Sequence, residues 1–195
     1  MTEKEILSLF DKYGALLKGH FKLSSGLHSE KYLQCALVLQ YPDIAQKLSK
    51  ALAKKFSKTK VDVVVAPALG GITIAYEVAR AFGARGLFTE RHSSEGTQEG
   101  RMVLRRGFSI EKGEKVLVVE DVITTGGSTK EVIDVVRALG GKVIGVGSVI
   151  DRSSQKLDFG VPFQALAKMS VETFEEKNCP LCKKNIAVTK PGSRK

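Results

Sequence analysis

Val116-Leu117-Val118-Val119-Glu120-Asp121-Val122-Ile123-Thr124-Thr125-Gly126-Gly127-Ser128-Thr129 is the stretch from which the rest of the chain can be read. Lys115 and the four apolar residues after it form a short β-branched run, the composition of a buried strand. That strand delivers two adjacent carboxylates. A loop of small hydroxyl and glycine residues follows. Residues 129–139 then have the spacing of a helix, closed by the pair Gly140-Gly141. A tight turn with a helix cap would account for residues 126–129 alone. It would not account for two carboxylates at the end of a buried strand, where uncompensated charge is costly.

The loop has the chemistry of a phosphate cradle. Gly126 and Gly127 let backbone N–H groups come close to an anion. The start of the next helix adds unpaired donors and the positive end of its dipole. Thr124, Thr125, Ser128 and Thr129 add hydroxyls. The spacing of a nucleoside-triphosphate P-loop is absent. Glu120 and Asp121 would repel a phosphate, so they are assigned to sugar hydroxyls, as acceptors. A phosphate site and a ribose site thus adjoin in one motif.

Working outward, residues 61–66 are a β-branched run ended by Pro67, residues 72–82 a helix stopped by Gly83, and residues 86–89 a weaker strand. Residues 143–150 are a further strand with two glycines inside. Such strands alternating with helices predict an α/β fold, a mainly parallel central sheet flanked by helices. Ligands of such sheets bind beyond the carboxyl ends of the strands. Before this core, residues 5–17 read as an amphipathic helix with Thr2 as a cap and Ile6, Leu9, Phe10, Leu16 and Leu17 facing inward. Residues 32–39 are apolar and partly β-like. Pro42 starts a helix whose apolar face is Ile44, Ala45, Leu48, Leu52 and Phe56. The polar segment 92–100 is expected to be a mobile loop.

Residues 116–129 resemble the phosphoribosyl-pyrophosphate signature of type I phosphoribosyltransferases: four apolar residues, two acids, two apolar residues and a small-residue loop. Ala66-Pro67-Ala68-Leu69-Gly70-Gly71 resembles the pyrophosphate loop of that family. Two further segments resemble those of orotate phosphoribosyltransferases. They are Phe21-Lys22-Leu23-Ser24-Ser25-Gly26-Leu27-His28-Ser29 and the Asp151-Arg152 pair that ends a later strand. The resemblance covers roughly residues 1–170. It implies a type I phosphoribosyltransferase fold with a small N-terminal hood at about residues 1–40, within one domain over residues 1–175. It implies transfer of a phosphoribosyl group to orotate.

By the same resemblance, Glu120 to Ser128, Leu69, Gly70 and Arg91 bind phosphoribosyl pyrophosphate, with Arg91, Glu120 and Asp121 catalytic. Thr124, Arg152, Ser24, Tyr32 and Leu33 bind orotate, and an arginine is a good bidentate partner for its carboxylate. Mg2+ is implied as cofactor, held mainly by substrate, and a homodimer as the assembly. The chain departs from the family in lacking its lysines at Ser24 and Gly70. At Arg91 an arginine stands where the family has a loop lysine. Leu104-Arg105-Arg106-Gly107-Phe108 fits a branch with fewer lysines.

The bulk numbers agree with an enzyme of anionic substrates. Of 195 residues 43% are hydrophobic, enough for one core, and the net charge is +10. Lys177, Lys183, Lys184, Lys190, Arg194 and Lys195 crowd the last nineteen positions, which hold no acid. Without those six, 25 basic residues face 21 acidic ones, a body of +4. Residues 176–195 are therefore expected to be a basic tail, and no nucleic-acid partner is expected. No apolar run nears the ~18 residues of a membrane span. Glu3, Lys4 and Glu5 interrupt any signal core, so the cytoplasm is the expected compartment. Cys179-Pro180-Leu181-Cys182 has the spacing of half a zinc site. Cys35, His20, His28 and His92 offer no matching spacing, so the expectation is a reduced turn in a flexible tail, with Cys35 a small core residue. Two alternatives stay open: transfer to a purine or another base, and a phosphoribosyl-pyrophosphate-sensing regulator that binds nucleic acid.

Overall fold

A computed structural model of the chain describes residues 1–23, 25–92 and 100–191. The central sheet has six strands: β3 (Val63–Pro67), β4 (Arg85–His92), β5 (Arg101–Leu104), β6 (Lys115–Ile123), β7 (Lys142–Asp151) and β8 (Phe163–Lys168). Their order is β5-β4-β3-β6-β7-β8. All neighbours are parallel except β4 and β5. The mainly parallel α/β architecture expected from the alternating pattern is thus the observed one.

Alternation along each strand feeds two cores. Val64, Ala66, Leu117 and Val119 lie in one cluster with Leu48 and Leu52 of α3 (Pro42–Lys54) and Ile74 and Val78 of α4 (Gly71–Phe82). Val63, Val65, Val116 and Val118 lie in the other, with Val132, Ile133 and Val136 of α5 (Gly127–Ala138). Each sheet face is therefore covered by helix, which is why β3 and residues 116–119 of β6 are apolar without interruption. The glycines of β7 have a packing reason: a Cβ on Gly145 would lie 2.7 Å from the Phe56 ring, and one on Gly147 would lie 3.3 Å from Leu52.

The winding fixes where ligands can sit. From β3 the chain crosses through α4 to β4 on one side, and from β6 it crosses through α5 to β7 on the other. Neighbouring β3 and β6 thus flank the point where the direction of winding reverses. The loops after them open into the crevice that forms at such a point.

The N-terminal region departs from the expectation. Helix α1 (Glu3–Lys12) is capped by Thr2, whose hydroxyl accepts the Glu5 N–H while the Glu5 carboxylate accepts the Thr2 N–H. It buries Ile6 and Phe10 but ends before Leu16. The turn at Tyr13-Gly14 redirects the chain into β1 (Leu16–Lys22), which pairs antiparallel with β2 (His28–Leu33) as a separate two-stranded hairpin. Leu16 and Leu17 are therefore strand residues. The 32–39 segment splits between the end of β2 and a short helix α2 (Ala36–Leu39). Strands β5 and β8 were not anticipated either, and β4 and β6 run further than the apolar runs that announced them.

The tail is not a free segment. The Phe174 and His28 backbones exchange N–H···O bonds of 2.8 Å, and Thr189 bonds to His20 and Lys22 at 2.7 and 2.9 Å. Both edges of the hairpin are thereby taken up by residues 174–189. Within this stretch α6 (Pro180–Lys183) begins directly after Cys179, which is fully buried. No described helix is long and apolar enough to cross a membrane.

Candidate functional site

Strand β6 does not stop before the acidic pair; it continues to Ile123, with Glu120 opposite Ser148 and Val122 opposite Ile150 of β7. Because successive strand residues face opposite sides, Glu120 and Asp121 part to the two faces of the sheet. Glu120 lies toward α5, where its Oε2 accepts the Thr129 hydroxyl at 2.5 Å. Asp121 lies toward the start of α4, against the loop that follows β3. A Cβ on Gly70 would fall 2.9 Å from Asp121 Oδ2, so only glycine lets this loop rest on the carboxylate. Asp121 Oδ1 accepts the Val122 N–H at 2.9 Å.

Burial pushes both carboxyl groups up. Glu120 rises to about 7 through loss of water, against the lowering effect of the Thr129 hydrogen bond, with a further rise from Asp121. Asp121 is raised by the same loss of water, opposed by backbone hydrogen bonds. Two acids made this reluctant to ionise are suited to a cleft that gains compensating charge or hydroxyl donors on binding.

The cradle follows at once. Gly126 adopts φ 76°, a left-handed conformation that favours glycine, and a Cβ there would also lie 2.9 Å from the Phe159 ring. Helix α5 starts at Gly127 with no side-chain cap and no acid in its first turn. Its first N–H groups are free for an anion. Thr125 and Gly127 are exposed and Thr124 and Ser128 half-buried, whereas Thr129 is fully buried. Thr129 therefore does not serve the phosphate as its hydroxyl suggested; it is committed to Glu120.

The hairpin supplies the opposite wall. Tyr32, near the end of β2, is half-buried within electrostatic reach of both Asp121 and Arg152; its hydroxyl is pushed up by burial, then by Asp121, and eased by Arg152. Arg152 follows β7 and donates its backbone N–H to Ile123 O at 2.8 Å. Burial pulls its guanidinium down from its ordinary value, with Tyr32 and Cys35 acting the other way. Cys35, buried beside them, has its thiol pushed up well above the usual range by burial and then by Asp121. Leu33 is in the core, so only its backbone is available. Leu69 is 69% exposed at the cleft edge. Ser24 and the expected mobile loop, apart from its ends, lie outside the described residues.

Arg91 is placed differently. At the end of β4 its guanidinium makes a two-pronged ion pair with Glu131 on α5, at 2.7 and 3.1 Å, and donates to Gly100 O. The acid that holds it was not singled out in the sequence, although Glu131 lies one turn into the helix that the signature starts. Arg106 pairs likewise with Glu90 at 2.7 and 2.8 Å, which ties β4 to the segment after β5. A surface hollow of about 960 Å³ between α1 and α3 shares no residue with any of these groups.

The structure thus sets Gly70 against Asp121 and Tyr32 within electrostatic reach of Asp121 and Arg152, with Glu120 on the other face of the strand and the loop from Thr125 to Ser128 leading into α5. Comparison with known proteins places the chain in a family. The model of the phosphoribosyl transferase domain matches residues 37–160. The orotate phosphoribosyltransferase of Caldanaerobacter subterraneus subsp. tengcongensis is 55% identical over 195 residues, all of both chains. The crystal structure of orotate phosphoribosyltransferase from Aeropyrum pernix is 25% identical, with a TM-score of 0.66 over 84% of this chain and 93% of that one. Adenine phosphoribosyltransferase from Rhodothermus marinus shares the fold equally well at 19% identity and a TM-score of 0.66, covering 84% of this chain and 99% of that one. The fold is therefore common to enzymes of different bases, and it is the full-length sequence likeness that separates them: the chain belongs to the orotate phosphoribosyltransferase family.

Proposed function

We propose that this chain transfers the 5-phosphoribosyl group from phosphoribosyl pyrophosphate to orotate, giving orotidine 5′-monophosphate and pyrophosphate in pyrimidine nucleotide synthesis. The observation that carries the reading is the close approach of Gly70 to Asp121 at the point where the sheet reverses its winding, with Tyr32 within electrostatic reach of both Asp121 and Arg152. The 5-phosphate sits on the N–H groups of Thr125 to Ser128 and the first turn of α5. Val122, Ile123 and Thr124 lead into that cradle. Glu120 and Asp121 accept hydrogen bonds from the ribose hydroxyls, and Leu69 and Gly70 present backbone N–H groups to pyrophosphate.

The donor set suits Mg2+, a hard cation that prefers oxygen ligands. Substrate oxygens would hold most of the ion, with Asp121 at the cleft loop as the nearest protein carboxylate. When bound, Mg2+ spreads the charge of the departing pyrophosphate. The chain's own residues do the rest. The bond from ribose C1 to pyrophosphate breaks, and the orotate ring nitrogen forms the new bond as its proton passes to solvent. Carboxylates beside the ring favour the positive charge that builds up on it. Arg152 grips the orotate carboxylate, with Thr124 alongside, and Tyr32, the Leu33 backbone and Ser24 complete the base site. Holding both anions in line supplies much of the rate.

Arg91 neutralises pyrophosphate once it exchanges Glu131 for it, and the segment after β4 closes over the site. A homodimer, in which that segment reaches the neighbouring subunit, is our reading of the assembly. Three free thiols suit the reducing conditions of the cytoplasm. Following the loss of orotate absorbance with phosphoribosyl pyrophosphate and Mg2+ tests the reaction. Transfer to adenine with orotate left untouched would overturn it. A shift of DNA or RNA mobility at physiological salt would point instead to a regulator.

A further inference from the structure

The tail and the hairpin meet in a cluster that the transfer reaction does not use. His20 of β1, His28 of β2, Cys179 and Cys182 each offer one ligand atom, and these atoms lie within 4.8 Å of one another. We propose that His20, His28, Cys179 and Cys182 hold a structural Zn2+ ion that clasps the C-terminal tail to the N-terminal hairpin.

The distances have the scale of a tetrahedral site. With Zn–S near 2.3 Å and Zn–N near 2.0–2.1 Å, a tetrahedron sets N and S about 3.6 Å apart and two nitrogens about 3.3 Å apart. Cys179 Sγ lies 3.5 Å and Cys182 Sγ 3.7 Å from His20 Nε2. Cys182 Sγ lies 3.3 Å from His28 Nδ1, and the two ring nitrogens are 2.8 Å apart. Moving the rings apart by about half an ångström and drawing in the widest pair, which stands at up to 4.8 Å, completes the figure.

The proton positions also point to a cation. His20 Nδ1 faces Ile186 O at 2.7 Å, an acceptor, so that nitrogen carries the proton and Nε2 offers its lone pair inward. For His28 the inward atom is Nδ1. Its other nitrogen, Nε2, is buried without a hydrogen-bond partner and faces the Glu176 carboxylate at 3.9 Å. A proton on Nε2 suits that carboxylate, and it leaves two lone pairs aimed at each other, which is unfavourable unless a cation lies between them. A ligating histidine backed by a carboxylate or a carbonyl is the usual support of a zinc site.

Charge and burial agree. Two thiols lose their protons to solvent on binding, so two thiolates and two neutral imidazoles around Zn2+ sum to zero, the state that burial tolerates. His20, His28 and Cys179 are 3%, 2% and 0% exposed. Four protein ligands leave no open position, so the ion is structural and not catalytic. Thiolate with imidazole selects zinc over the hard, oxygen-seeking Mg2+. The sequence hid the site because the Cys-x-x-Cys half lies over 150 residues from the two histidines, which sit on adjacent strands eight positions apart.

The full chain, purified under reducing conditions with no metal added, is expected to carry about one zinc per chain by elemental analysis. Cobalt(II) put in its place is expected to give tetrahedral d–d bands and a thiolate charge-transfer band. The double variant Cys179→Ser/Cys182→Ser is expected to lose both, while His92→Ala keeps them. Chelation should lower Tm by roughly 5–10 °C, restored by zinc. A reduced, folded full chain that takes up neither zinc nor cobalt, or that carries a Cys179–Cys182 disulfide instead, overturns the proposal, as does a double variant that retains the cobalt spectrum. Should the double variant not fold, the metal content and cobalt spectrum of the unmodified chain decide the matter.

Discussion

At the scale of single residues, the pair Glu120-Asp121 has its chemistry divided by one step along a strand. Glu120 accepts the Thr129 hydroxyl through Oε2 alone beneath α5, which leaves its second oxygen for a ribose hydroxyl, and Asp121 abuts Gly70. The raised carboxyl of Glu120 sets a pH dependence. Between its ordinary value of 4.5 and about 7, the folded chain holds a proton that the unfolded chain has lost, so stability falls as pH rises through that window. Thermal unfolding of the ligand-free protein is expected to show this fall, and Glu120→Gln to flatten it; an equally steep slope in the variant would refute the assignment. Activity runs the other way, since ionised carboxylates accept better from ribose hydroxyls: kcat/KM is expected to drop as pH goes below about 7. Arg152→Ala is expected to cost about 100-fold in kcat/KM for orotate, the worth of a charge-assisted contact. Arg152→Lys should recover only part of it, because the two-pronged fit is lost. Unchanged affinity for phosphoribosyl pyrophosphate in both variants would localise the effect to the base.

At the scale of elements, two strand-to-helix connections do the positioning, and each rests on one glycine. Gly126→Ala meets both a positive φ and the Phe159 ring. It is expected to destabilise the fold by about 1–3 kcal/mol and to weaken binding of phosphoribosyl pyrophosphate together with its Mg2+. Chemical denaturation and a binding titration measure the two effects separately. Arg91 lies near the end of β4, a strand that runs past its apolar residues. Arg91→Ala is expected to lower kcat at least 10-fold with a smaller change in the KM for orotate. A change confined to that KM would show that Arg91 serves the base site and not pyrophosphate.

At the scale of the whole molecule, the homodimer proposed above, in which Arg91 serves the neighbouring subunit's site, has a consequence for mixtures. Arg91→Ala and Asp121→Asn, each impaired alone, are expected to gain activity when mixed and allowed to exchange subunits. Mixed dimers then hold one site with both groups intact. No recovery, despite exchange verified by mass spectrometry, would place Arg91 in its own subunit's site.

How much of this was legible depended on how local the determinant was. The run 116–129 fixed a strand, two acids, a cradle and a helix start, because β-branched runs, glycines and helix spacing act over a few residues. The α3 face, the Thr2 cap and the stop at Gly83 were legible for the same reason. The hairpin was not: Leu16-Leu17 continue a helical apolar spacing, and only pairing with Leu33 and Tyr32 makes them strand. β8 is a poor β-former, Phe163-Gln164-Ala165-Leu166-Ala167-Lys168, ordered by the β7 edge it completes. Tertiary structure alone decided that Tyr32 comes within electrostatic reach of Asp121 and Arg152, that Glu131 holds Arg91, and that the tail's two cysteines meet two histidines from the start of the chain. Contacts across such separations leave no periodic trace, since they form only once packing of the whole chain brings the hairpin, the strand ends and the tail together.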